Sequence, residues 1–173
     1  ICVSGNLGAA YMGLQLLERE KSVFMGETNA QPDFSGKEYL LERQLKPEAR
    51  RDIISALAEA GIKPTAMMDI SDGIGSDLRH IMKASGVGAV IDLERLPLSP
   101  ELVSVCKEQG WDIYEMATSG GEDFELMFTA PAGLENELDI AVYPIGKIVP
   151  GNELSWRLSN EPMDRDFDGY KHF

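Results

Sequence analysis

The chain predicts an α+β fold, a mixed β-sheet covered by α-helices. Three observations carry this prediction. Short apolar runs suited to strands recur at 1–3, 66–69, 87–93, 124–129 and 141–149. Apolar stripes at helical spacing stand between several of them, and most of those stripes stop at a glycine. No internal repeat, low-complexity stretch or clear linker divides the sequence, so residues 1–173 read as one domain.

The elements follow in order. Residues 1–3 look like a strand already under way, and the chain starts at Ile1 rather than Met, so a longer parent protein is expected. Ser4-Gly5-Asn6 is turn chemistry. Ala10, Leu14 and Leu17 stripe a helix over 8–18. Residues 25–36, with two glycines, a proline, an asparagine and an aspartate, read as a loop. A short helix follows at 37–44. Pro47 suits a first helical position, and Ile53, Leu57 and Ala60 line one face up to Gly61. The run 66–69 is a strand, and the helix after it extends to Ser85 with Gly86 as its C-cap. A strand at 87–93 precedes a helix opened by Ser99-Pro100 and ended by Gly110. Residues 111–118 give no clear signal. A strand at 124–129, a weak helix at 134–138 and a strand over 141–149 bent at Gly146 complete the pattern. The tail from Trp156 onward is polar with scattered aromatics, and 164–168 reads as solvated loop.

Composition narrows the function classes. The length suffices for a real hydrophobic core. Hydrophobic residues at 43% are ordinary for a globular protein, and no apolar run approaches the roughly 18 residues of a membrane span. A net charge of −13 opposes binding to nucleic acid or to an anionic membrane. Cys2 and Cys106 form no framework and lack metal-ligand spacing, which fits a reducing cytoplasm; Cys106 falls on an apolar helix face. His80 and His172 have no obvious partner, and the sequence offers no convincing catalytic nucleophile.

The chemistry concentrates in Asp69-Ile70-Ser71-Asp72-Gly73-Ile74-Gly75-Ser76-Asp77, at an expected strand-to-helix turn. Asp69 and Ser71 point to one side of the extended chain, and Asp72 can turn back towards it. Mg²⁺ takes one or two carboxylates, several waters and substrate phosphate oxygens, which Asp69 and Asp72 suit. Ser71 can donate to a phosphate, and the start of the next helix favours an anion. Ser76 and Asp77 read as capping residues instead. The spacing fits neither an EF-hand nor a Walker A loop. A second acidic turn, Ser119-Gly120-Gly121-Glu122-Asp123, stands before the strand at 124–129. Glu122 or Asp123 there suits a cationic or hydroxyl-bearing ligand, or the segment is a plain turn.

The first turn, the run Ser119-Gly120-Gly121-Glu122-Asp123-Phe124-Glu125-Leu126-Met127-Phe128 and the ending Gly169-Tyr170-Lys171-His172-Phe173 together resemble thiamine-monophosphate kinases. The openings Val3-Ser4-Gly5-Asn6-Leu7-Gly8 and Arg43-Gln44-Leu45-Lys46-Pro47 are similar to stretches of the same family. Ile74 and Phe124 stand where Leu and Tyr are more usual. The resemblance implies the C-terminal domain of the aminoimidazole ribonucleotide synthetase-like fold, without the family's N-terminal domain. It implies Mg²⁺-dependent transfer of the ATP γ-phosphate to thiamine monophosphate, giving thiamine diphosphate, in a homodimer formed through that N-terminal domain. By motif, Asp69 and Asp72 are metal ligands, Ser71 contacts ATP, and Glu122 and Tyr170 contact the thiamine substrate. The alternatives are another ATP-dependent synthetase of the superfamily and a non-catalytic nucleotide- or metal-binding module.

Overall fold

The computed structural model describes residues 1–26 and 31–169. Among the described residues, eight strands fall into two four-stranded sheets rather than one. In the first, β2 (Ala66–Asp69), β4 (Leu126–Thr129), β1 (Cys2–Val3) and β5 (Tyr143–Pro144) lie in that order, all antiparallel. In the second the order is β6 (Gly146–Val149), β3 (Gly88–Asp92), β7 (Leu154–Leu158) and β8 (Glu161–Pro162). Only this sheet is mixed, with β3 and β7 parallel. The expected strand over 141–149 therefore serves both sheets. Buried Ile145 is the corner: its N–H donates to Ile1 O in one direction and its carbonyl accepts from Asp92 N in the other. Gly146 is required there, because a Cβ would stand 2.1 Å from Val90 O.

Among the described residues six α-helices cover the sheets: α1 (Ala9–Gly26), α2 (Glu38–Leu45), α3 (Arg51–Glu59), α4 (Ile74–Ser85), α5 (Pro100–Gln109) and α6 (Ile113–Ser119). Local signals account for the ends of two. Ser99 Oγ accepts from Leu102 N, Pro100 takes the first position of α5, and Gly110 closes it in the left-handed conformation. Gly86 closes α4 in the same way. Ile74, Leu78, Ile81 and Met82 of α4 share one core with Val3 and Met127 of the first sheet and Ala89, Ile91 and Trp156 of the second. Full burial of each such side chain contributes roughly 1.5–3 kcal/mol. A second cluster joins α1, α2 and α5 through Met12, Leu16, Leu40, Leu102 and Cys106. A third packs α3 on the first sheet.

Several boundaries differ from the sequence reading, and the tail from Trp156 holds the end of β7 and all of β8. Helix α1 continues past residue 18 to Gly26, beyond its last fully buried apolar residue, Leu16, leaving Val23, Phe24 and Met25 exposed. The expected 25–36 loop thus begins later, and 27–30 lie outside the described residues. Helix α3 starts at Arg51 rather than Pro47, because Arg50 is non-helical (ψ 55°) and reaches back to Ser4 and Glu125. Strand β4 starts at Leu126, since Phe124 has φ 51° and cannot extend the ladder. The 164–168 stretch is loop with Asp164, Arg165, Asp166 and Asp168 exposed, but one residue of it is core. Phe167 is buried with its ring 4.9 Å from that of Trp156, edge to face, and Asp166 accepts from Trp156 Nε1.

Candidate functional site

The two acidic turns meet. Phe124 N donates to Ile70 O, Ile70 N donates to Glu125 O, and Glu122 N donates to Ser71 O at 2.8 Å. The ends of β2 and β4 are thereby laced together past their ladder, and both turns open at one end of the first sheet. Gly73 makes this possible. Its φ is 91°, and a Cβ would stand 2.7 Å from Thr118 O and 2.8 Å from Gly120 O. Any larger residue would push α6 and the second turn away. A Cβ on Gly75 would stand 2.2 Å from Phe167 O, and one on Gly169 2.8 Å from Asp72 O, so the tail packs over the same turn.

Within the first turn, Asp69 is exposed and Ser71 and Asp72 are half-buried. Asp69 is therefore open to solvent at the end of β2. Ser71 Oγ lies 3.4 Å from Asp72 Oδ1. The capping assignment of Ser76 and Asp77 needs correction. The N-cap position of α4 is Gly73, and no side chain caps the helix. Asp77 instead reaches back to accept from Ser71 N (2.9 Å) and Asp72 N (3.1 Å). It is a buried brace for the turn. Burial raises its pKa, the two N–H donors oppose that, and neighbouring Asp72 and Asp69 add to it.

The second turn uses its acids differently. Asp123 is 1% exposed and accepts from Gly8 N (2.7 Å) and Ala10 N (3.3 Å), tying the turn to the start of α1. Burial pushes its carboxyl up to about 7, against those donors and Arg43. Both of its oxygens are engaged by the backbone at the start of α1. Glu125, 3% exposed, sits between Arg43 Nη2 (2.9 Å) and Arg50 Nη1 (2.5 Å), with Ser4 Oγ donating at 2.6 Å. Arg43 also donates to Asp123 O. Glu122 alone of the three is half-buried, held at φ 65°, its Oε2 accepting from Gln44 Nε2 at 2.6 Å. Tyr170 and His172 lie outside the described residues. His80 is exposed, and buried Cys106 has its thiol pushed up to about 11 by burial. Sequence reasoning gave no role to Glu125 or Arg50. The signals were there: a glutamate entering an apolar strand, and an arginine just before a helix.

Among the described residues no group of three or more His, Cys, Asp or Glu side chains is placed to hold a metal. Asp69 and Asp72 supply two carboxylates. That donor set fits Mg²⁺ held partly by waters and phosphate oxygens, and does not fit an all-protein cage.

Residues 2–158 match the family described as AIR synthase related protein, C-terminal domain, and the chain belongs to that family. Within it, the likeness is to thiamine-monophosphate kinases. That of Aquifex aeolicus is 36% identical over 151 residues, 87% of this chain and 45% of its own length. That of Escherichia coli K12 is 36% identical over 181 residues, all of this chain and 52% of its own. A solved structure described as AaThiL complexed with AMPPCP and TMP matches at TM-score 0.74 and 33% identity, over 99% of this chain and 50% of that one. The Escherichia coli hydrogenase maturation protein HypE shares the fold, at 21% identity and TM-score 0.58. The chain spans about half the length of these relatives. No helix among the described residues is long and apolar enough to cross a membrane.

Proposed function

We propose that this chain is the C-terminal, ATP- and substrate-binding domain of a thiamine-monophosphate kinase, which moves the γ-phosphate of ATP onto thiamine monophosphate to give thiamine diphosphate. One observation carries the reading. The Glu122 N–H···O=C Ser71 bond sets a candidate substrate carboxylate beside a candidate metal-phosphate turn. A site for direct transfer between two bound phosphates needs these two parts adjacent. The kinase relatives and the structure bearing an ATP analogue and TMP support it.

Asp69 and Asp72 would hold Mg²⁺, which when bound neutralises charge on the phosphate oxygens. Ser71 donates its hydroxyl to an ATP phosphate, and the orphan N–H groups at the start of α4 favour the same anion. Asp77 keeps the turn in shape by taking Ser71 N and Asp72 N. Glu122 offers its carboxylate to the thiamine substrate, whose thiazolium is cationic. Tyr170 packs near that substrate, as the family resemblance implies. No residue of the chain acts as nucleophile, because the acceptor phosphate oxygen attacks in line. The remaining metal and nucleotide contacts belong to an N-terminal domain, through which the protein forms a cytoplasmic homodimer. This chain alone is inactive.

The test is conversion of thiamine monophosphate by the full-length protein with Mg-ATP, run beside a panel of substrates for related ATP-dependent synthetases. Thiamine diphosphate formed only with metal present is the expected result. Turnover of another panel member alone assigns a different activity within the family. Nucleotide binding with no turnover of any makes the chain a binding module.

A further inference from the structure

The turn that carries Glu122 is held by two adjacent residues of α2, and they hold it in different ways. Arg43 donates to Asp123 O at 2.7 Å and to Glu125 Oε1 at 2.9 Å. It grips the backbone and the buried carboxylate on either side of Phe124. Gln44 donates to Glu122 Oε2 at 2.6 Å. Helix α2 is itself fixed tightly. A Cβ on Gly13 of α1 would stand 2.2 Å from Leu40 O and 2.9 Å from Gln44 Cβ, so the two helices meet at backbone distance. Gln44 therefore projects from a rigid base.

Two features show what the amide is for. Its Oε1 is buried and accepts no hydrogen bond, so the side chain gives up its acceptor to present its NH₂ to Glu122. The opposite flip would set two oxygen lone pairs against each other at 2.6 Å. The donor is also neutral. Glu125, which is buried, meets two guanidinium groups. Half-buried Glu122 meets an amide, which orients the carboxylate and leaves its charge for a cationic ligand. Orientation matters here because Glu122 occupies a left-handed backbone conformation that non-glycine residues rarely adopt.

We propose that Gln44 is a positioning residue for the acceptor substrate, acting through Glu122. This rests on the reading of Glu122 as the contact to thiamine monophosphate. The experiment is a double-mutant cycle in the full-length protein. It compares wild type, Gln44→Met, Gln44→Ala, Glu122→Ala and Gln44→Met/Glu122→Ala, with KM measured separately for thiamine monophosphate and ATP. Gln44→Met keeps the length and packing of the stem and removes the donor. Both single Gln44 variants are expected to raise KM for thiamine monophosphate about 5–10-fold, leaving kcat and KM for ATP within about twofold. The double variant is expected to match Glu122→Ala alone. Effects that multiply, an equal rise in both KM values, or no rise at all would overturn the role. Loss of the folded state in both Gln44 variants assigns the residue to structure and overturns it equally. A wild-type protein that turns over no thiamine monophosphate overturns the function itself, and this role falls with it; turnover with unchanged Gln44 variants removes the role alone.

Discussion

The two acidic turns are alike in composition and opposite in use. At the end of β2 and in the turn after it, Asp69 is exposed and Asp72 half-buried, and the acid further along, Asp77, is buried as a brace. In the turn before β4, two of three acids are buried and only Glu122 retains access. The difference lies in where donors are supplied. Asp123 and Glu125 are met by the backbone N–H groups of Gly8 and Ala10, by two arginines and by Ser4. A carboxylate so satisfied is scaffold, whereas one left towards solvent beside it is available to a ligand. Acid-rich segments thus divide by partner supply and not by charge density.

The comparison breaks most severely if the scaffold acids are removed. Glu125→Ala would leave Arg43 and Arg50 without their shared carboxylate in a buried setting, a loss of about 3–5 kcal/mol. In a chain of this size that is a fall in Tm of about 10 °C, measurable by thermal unfolding. A surface pair such as Arg165 with Asp112 should cost a small fraction of that when broken. Asp123 makes the next largest effect, and its sign is unusual for an aspartate. Its folded pKa of about 7 lies above its ordinary 3.8, so the folded state holds a proton that the unfolded chain releases. The associated stability is present below about 3.8, declines as pH rises and is gone above about 7. Asp77 is shifted in the same direction. Asp52, Asp112 and Asp166 are shifted downwards, so their contributions vanish only in acid. Melting curves between pH 4 and 8 should therefore show stability falling with pH by up to about 1.4 kcal/mol per unit. Asp123→Asn should flatten that decline.

The parts legible in the sequence are those decided within a few residues. Strand β2, the Ser99-Pro100 start and Gly110 end of α5, and the Gly86 cap of α4 follow from local chemistry. The illegible parts depend on residues far apart in sequence. Gln44 and Glu122 are 78 residues apart, and Arg43 and Glu125 are 82. Nothing near Phe167 announces that Trp156 will bury it, and nothing near Ile145 announces that one strand will serve two sheets. The adjacency of the two turns is of this second kind.

On the open side of the comparison, Asp72→Asn in the full-length protein should lower kcat about 100-fold and raise the Mg²⁺ concentration needed for half-maximal rate. Thermal stability should fall less than for Glu125→Ala, since Asp72 is half-buried where Glu125 is 3% exposed. An unchanged kcat and an unchanged Mg²⁺ requirement would remove Asp72 from the metal. A large loss of Tm would place Asp72 with the scaffold acids and erase the contrast between the turns.

Glu122→Ala is the finest probe, because Glu122 lies on the boundary between the two kinds of acid. Its N–H bond to Ser71 survives truncation, and the clamp on Asp123 and Glu125 does not involve its side chain. The turn should therefore persist, with the loss confined to one ligand contact. A rise of about tenfold in KM for thiamine monophosphate is expected, equivalent to about 1.4 kcal/mol of binding, with kcat and KM for ATP nearly unchanged. A rise confined to ATP would move Glu122 to the nucleotide side of the site. A fall in kcat with KM unchanged would mean that the contact forms only as the phosphate transfers. Either result would redraw the division of labour between the turns while leaving the scaffold role of their buried acids intact.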